Sequence, residues 1–438
     1  MANPAQGAAV VGPSAREAGT ALLLLVSAYT LSITDRMILT VLFEPIRLEF
    51  GVSDTQMGLL GGLSFALFYA TLGIPIARAA DRGSRKLIIV VSLVVFSLMT
   101  ALSGLAVGFV MLLLLRIGVG VGEAGVSPAS QSMVADYYPK ERRASAMAAL
   151  VVGANVGMII GYLVGGLVSQ YYGWRAALVV VGVPGLALAA VMFAKLREPI
   201  RGAFEAPALG THSSPTILQT AAFMFGSPAV RQLLIASTIS GTVTYGLTTW
   251  LPAFFVRAHG LSQSEVGLLM ALAFGVVGAI GAFVGGKWVD RLSRGGLERG
   301  LWMIAATQVA VVPLSVLAYQ AGPLALALVL FALPVFVSPF YLGPTLALIQ
   351  TLSPVPMRAV AAAIKMLCLN LVGMGLGPLI VGALSDGLAD AFGEASLRVA
   401  LSITVTLGLW SALHFWLCGR ALARMPQHLP NSSSASLA

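Results

Sequence analysis

Residues 51–82 read GVSDTQMGLLGGLSFALFYATLGIPIARAADR, and residues 260–291 read GLSQSEVGLLMALAFGVVGAIGAFVGGKWVDR. The two stretches lie 209 positions apart and agree without a gap at ten of 32 positions. Gly51, Ser53, Gly58, Leu59, Leu60, Leu63, Phe65 and Ala70 all recur, and both stretches close on the same charged pair, Asp81-Arg82 and Asp290-Arg291. Leucine and glycine recur by chance in apolar helices; an acid and a base at the same register do not. A second echo sets Gly157-Met-Ile-Ile-Gly161 against Gly373-Met-Gly-Leu-Gly377. Two parallel halves are the economical reading, and such repeats place a binding site between the halves near the bilayer midplane.

The repeats sit in a chain of 438 residues, 58% hydrophobic and only 10% charged. Soluble domains carry roughly 25% charged residues. No water-soluble core hides this much apolar surface, whereas a bilayer is itself an apolar solvent. A crossing helix needs about 20 mostly apolar residues. Stretches that meet the rule run near 19–43, 55–80, 87–108, 109–135, 142–169 and 174–195, then near 229–258, 264–290, 299–319, 322–350, 356–388 and 396–420. The expected fold is an all-α integral membrane protein, its twelve transmembrane helices forming two pseudo-symmetric six-helix bundles. Its parts are a cytoplasmic tail (1–18), a first bundle (19–195), a polar cytoplasmic linker (196–228), a second bundle (229–420) and a disordered tail (421–438). No basic leader precedes the first span, so that span is expected to stay in the mature protein.

The net charge of +9 does not indicate nucleic acid, because the basic residues occupy short loops. With the amino terminus inside, 20 of the 26 Lys and Arg residues fall on the cytoplasmic side. Four (Arg47, Arg175, Arg257 and Arg398) fall outside, and Arg36 and Arg116 fall within spans. That bias predicts both termini in the cytoplasm. Cys368 and Cys418 lie in apolar segments, and His212, His259 and His428 show no ligand spacing, so no metal or cofactor is expected. No nucleophile–base pair lies near the buried charges, which argues against an enzyme. Trp174-Arg175, at the outer end of span six, reads as an interfacial anchor.

Four ionisable residues fall where hydrocarbon should be: Asp35 and Arg36 on span one, Arg116 and Glu123 on span four. Each costs about 2.5–3.5 kcal/mol at the centre of an inserting helix, so such residues face the protein interior and pair. Arg116 and Glu123, seven residues apart, share nearly one helix face, and Asp35 and Arg36 fall at a depth between them. One neutral network of four charges is expected. Shifted by 209, Asp35 and Arg36 land on Thr244 and Tyr245. The second half holds no mid-membrane charge beyond Lys365, so titrating groups are expected in the first half only.

Three features resemble the major facilitator superfamily over nearly the whole chain. The loop Asp81-Arg82-Gly83-Ser84-Arg85-Lys86 is similar to its cytoplasmic Asp-Arg-x-Gly-Arg-Lys motif, departing from it at Ala77 and Ser84. Arg116 matches its buried arginine, and Gly153, Gly157, Gly161, Gly165 and Gly166 resemble the glycine-rich motif frequent in antiporters, without its Pro. Within the superfamily, Thr34-Asp35-Arg36-Met37, the string from Arg116 to Glu123-Ala124 and Ala135-Asp136-Tyr137 resemble the spinster family. That resemblance implies proton-linked movement of sphingolipids, lysophospholipids or other amphipathic compounds, with Asp35 and Glu123 as protonation sites. It also implies a gating latch at Asp81, Arg82, Arg85 and Lys86, with Asp290 and Arg291 as its weaker twin. The span-one and span-four charges are shared with organic-anion:proton symporters of the sugar-acid permease type, which is the alternative reading.

Span seven (Thr244, Tyr245, Thr248) and span ten (Phe336, Phe340) are expected to wall the substrate path, hydroxyls toward a headgroup and rings toward an apolar part. The expected whole is a monomeric, proton-coupled exporter in a bacterial inner membrane, surrounded by membrane lipids and carrying a small amphipathic substrate.

Overall fold

The computed structural model describes residues 14–202, 204 and 215–424, without the side chains of Ile74, Ala77 and Asp81. Most of the tails expected at 1–18 and 421–438 lies outside those residues, as do His212 and His428. Hydrocarbon offers backbone groups no partner, so each crossing segment bonds to itself as helix. The first half comprises α1 (Ala15–Val41), α2 (Asp54–Ala80), α3 (Arg85–Ser103) and α4 (Phe109–Tyr137). The stretch Lys140–Lys195 follows, broken by Gly173 at φ 82° into α5 (140–172) and α6 (174–195). The second half comprises α7 (Pro228–His259), α8 (Gln263–Ser293), α9 (Leu297–Gln320), α10 (Leu324–Leu352), α11 (Val355–Gly387) and α12 (Ala389–Ala423). Ten continuous stretches, with 140–195 taken as one, are long and apolar enough to cross a bilayer among the described residues. The hydroxyls recurring from Ser237 to Thr249 keep α7 less apolar than these.

The recurring residues build one corner twice. Gly51 and Gly260 both close a helix at positive φ, 61° and 66°. A Cβ there is costly, which is why glycine serves. Two residues later Ser53 and Ser262 cap α2 and α8, each in a reciprocal bond with Gln56 or Glu265, the capping-box arrangement. One turn further, Gly58 lies against the backbone of Pro378 on α11, and Gly267 against Gly166 on α5. The same position of each half thus makes one of two matching seams between the bundles, α2 on α11 and α5 on α8.

Glycine serves a different purpose on the rest of α5. Gly153, Gly157, Gly161 and Gly165 let α1 approach so closely that Thr30 and Thr34 donate to the carbonyls of Gly153 and Gly157, both at 3.0 Å. This ridge is a packing surface. In the second bundle α8 and α11 each widen into a π-helical turn, Ala271–Val277 and Leu369–Met374. The linker expected to be polar throughout holds an apolar helix, Ile217–Gly226, whose Thr220 and Met224 are fully buried. Alternating traverses bring both chain ends to one face, the terminal face; the other is the far face.

Candidate functional site

Successive residues on α1 point about 100° apart, so Asp35 and Arg36 turn to different partners. Asp35 Oδ2 meets Arg116 Nη1 of α4 at 2.6 Å, and its Oδ1 accepts from Thr100 of α3. Arg36 Nε meets Glu123 Oε2 at 2.6 Å, and Ser32 donates to the same oxygen at 2.7 Å. Asp35 and Glu123 are each 1% exposed, while 16% of the Arg36 side chain remains open. The four expected charges do meet, as two ion pairs between α1 and α4 rather than one hydrogen-bonded network, because Arg116 and Glu123 stand two turns apart on α4. What joins them is a ring. The Arg36 and Arg116 guanidiniums lie 4.9 and 5.0 Å from the Phe65 centroid, and Arg36 lies 4.5 Å from Tyr69. Each cation thus faces π-density as well as a carboxylate. Glu123 Oε1 and Arg116 Nε are enclosed without a hydrogen bond among the described residues.

The second bundle encloses a cavity of about 50 Å³, lined by Ser240, Thr244 and Thr248 of α7 with Phe274, Gln308 and Phe331 on facing helices. Of the expected wall, Thr244 and Thr248 are in this lining; Tyr245 instead packs against the first bundle. Phe336 and Phe340 are not in it. The tight turn Ser338–Tyr341 leans on α8, where Gly281 and Gly285 leave room, and Phe340, 2% exposed, meets Trp288 edge-on at 6.2 Å. Phe274, the repeat partner of Phe65, faces Phe331 at 6.3 Å and no charge. The charged site thus has no copy in the second half.

At the terminal face Arg85 is 3% exposed and bridges Asp136, at the end of α4, to Glu198 of the linker, the latter at 2.7 Å. Glu198 also accepts from Ser84 at 3.0 Å and from the Lys86 amide at 2.8 Å. Burial opposes the Glu198 anion, yet the Lys86 amide, the Arg85 guanidinium and the Ser84 hydroxyl together hold its pKa below the ordinary carboxylate value. Arg201 donates to the carbonyl of Ala80 at 2.6 Å and to that of Gly83. The motif thereby clamps the linker to the first bundle. Arg82, Asp290 and Arg291 are exposed.

The far face holds a cluster that the sequence reading passed over. Arg257 of α7 grips both oxygens of Asp54 at 2.7 Å and meets Glu44 at 2.6 Å. Arg47 pairs with Glu44 at 2.8 Å. Asp386 of α11 accepts from the Asp54 and Thr55 amides at 3.0 and 2.7 Å, capping a helix of the opposite bundle, and Ser385 donates to Asp54 at 2.6 Å. Gln170 accepts from the Gln263 amide at 3.0 Å. Among the described residues, every hydrogen bond or ion pair between the bundles lies at this face. The available signal was the scarcity of basic residues there, which made Arg257 unusual. Trp174 is no lipid anchor either: it is 4% exposed and donates to Glu49 at 2.6 Å.

A model of the Major Facilitator Superfamily matches residues 25–378. An MFS-type efflux pump of Mycolicibacterium smegmatis is 32% identical over 418 residues, covering 94% of this chain and 95% of that pump. A hexuronate transporter of Bacillus subtilis is 29% identical, over 64% of this chain and 66% of that transporter. Among solved structures, a bacterial homologue of the human lysosomal transporter spinster, inward-facing and unoccupied, superposes with a TM-score of 0.83 at 30% identity. That match covers 94% of this chain and 98% of the other.

Proposed function

Because the chain belongs to the major facilitator superfamily, and is a multi-pass membrane transporter resembling spinster, we propose that it is a proton-coupled carrier of a lipid-like or amphipathic small molecule. It works as an exporter by alternating access, as a monomer in a bacterial inner membrane. Both termini are cytoplasmic, so the terminal face is the inner one and the far-face cluster is the outer gate. Asp35 and Glu123 carry the coupling.

The observation behind this reading is the pairing of α1 with α4. A buried carboxylate holds Arg36, and its second oxygen has no partner. A proton on Glu123 cancels the charge that holds Arg36, freeing a guanidinium whose side chain is already partly open. Asp35 and Arg116 respond in the same way two turns along α4. A proton biases the two facing states only through its different affinity for each, and a pair that breaks in one state supplies that difference. The efflux pump among the relatives supports the direction, and the amphipathic cargo is what the resemblance to spinster implies.

An organic-anion:proton symporter is the second reading. It is favoured by the accessible Arg36, able to hold a carboxylate, and by the likeness to a hexuronate transporter. Proteoliposomes with an imposed pH gradient separate the two, given labelled lysophospholipid in one set and labelled hexuronate in the other. Asp35→Asn and Glu123→Gln are expected to lose gradient-driven movement by at least about tenfold, each proton-linked barrier change of 1.4 kcal/mol being one decade. Undiminished gradient dependence in both variants sinks the coupling role.

A further inference from the structure

Lys365 of α11 is 1% exposed, and no hydrogen bond or ion pair reaches its ammonium among the described residues. Every other charge deep in the spans has a partner: Asp35 has Arg116 and Arg36 has Glu123. Among the described residues, one cation inside the spans is left without a counter-charge. The second half offers nothing to neutralise it, because its acids (Glu265, Asp290, Glu298, Asp386, Asp390 and Glu394) all lie at helix ends or in connecting segments. Asp386, on the same helix, is 21 residues further along, about 30 Å at 1.5 Å per residue. An ionisable group in a span is by default a functional one.

Its place in the fold fits a ligand. Lys365 lies in the terminal-face half of α11, seven residues into the helix Arg358–Cys368 and just before the π-helical turn Leu369–Met374. That is the half of the second bundle away from the far-face gate. The next turn, at Leu369, packs on Gly241 of α7. The segments packed here bury mainly apolar side chains, Leu348, Ile349 and Ala361 among them, with the hydroxyls of Ser237 and Thr345. A single positive charge set in an apolar seam complements a molecule with one anionic group and a hydrocarbon body.

We propose that Lys365 receives the anionic headgroup, phosphate or carboxylate, of the transported molecule, which makes the cargo an anionic amphiphile. This rests on the carrier reading above and narrows its substrate class. The protein, purified and placed in nanodiscs of phosphatidylcholine, is titrated with dodecyl phosphate, laurate and dodecyltrimethylammonium, and binding is followed by tryptophan fluorescence with no gradient present. The wild type is expected to bind one or both anions at least tenfold more tightly than the cation. Lys365→Met is expected to lose that preference, and Lys365→Arg to keep it within about threefold. The two anion arms distinguish phosphate from carboxylate. Equal binding of the anions and the cation by the wild type overturns the proposal without reference to any variant, as does an undiminished preference in Lys365→Met. Because no gradient is used, failure here is distinct from failure of proton coupling, which is read from Asp35→Asn and Glu123→Gln.

Discussion

Phe65 is the residue on which both ion pairs rest. A cation over a desolvated ring gains about 2 kcal/mol, and Phe65 receives two of them. Phe65→Leu keeps most of the volume and removes the π-face. It is expected to cost about 2 kcal/mol, read as a lower midpoint of thermal unfolding in detergent. The acids and bases were legible because a charge in an apolar run has few explanations. Phe65, Ser32 and Thr100 were not. A phenylalanine in a span usually faces lipid or core, and hydroxyls in spans often bond their own helix, as Thr71 does to Leu67. Glu198 is a second case, hidden because its meaning depends on the linker folding back. Its carboxylate pKa is depressed, so its contribution is present at neutral pH and is lost as pH falls through that lowered value. Glu198→Gln is expected to destabilise by about 1 kcal/mol at pH 7, the scale of a partly exposed pair, and by progressively less as pH falls through the acid range. Unfolding midpoints of both proteins across that range check it.

At the scale of elements, the repeat located two corners and the structure explains why those residues recur. A left-handed glycine, a serine cap and a small residue one turn later are what a tight entry into a closely packed helix demands. The seams themselves were not readable, because a glycine that admits a neighbour and one that merely lacks a side chain look alike in sequence. At Gly267 a Cβ would stand 2.5 Å from the Tyr162 carbonyl and 2.9 Å from the Gly166 Cα. Gly267→Val is therefore expected to part α5 from α8. Spin labels on the far-face ends of those helices should move apart, and the population open at that face should rise at least tenfold, for a clash of about 1.5 kcal/mol or more. The break at Gly173 lay in the expected gap between the fifth and sixth spans. The short helix Ile217–Gly226 was concealed by the polar residues on either side of it.

For the whole molecule, composition settled the solvent and the repeat settled the architecture, since both act through many residues at once. Which face is shut depends on a few long-range contacts and left no periodic trace. Arg257 touches Glu44 and Asp54 of the opposite bundle, and removing one member of a buried, bonded charge group strands the others. Arg257→Gln is expected to shift the facing equilibrium by about 2 kcal/mol, some thirtyfold. Cysteines introduced behind the gate should then react faster with a membrane-impermeant thiol reagent added at the far face. Asp386→Asn, which retains an oxygen for the Asp54 and Thr55 amides, should give a smaller increase. No increase in either variant would remove the cluster from the gate.

Gly58 and Gly267 occupy one position of a duplicated unit, yet each grips the other half of the protein. The two grips are therefore related by the same pseudo-two-fold axis as the halves themselves. A rigid rocking of one half against the other must release both together, and neither can open alone without bending a helix. The far side of this carrier thus has a single degree of freedom, and a half-unzipped intermediate would require flexing at the π-helical turns of α8 and α11.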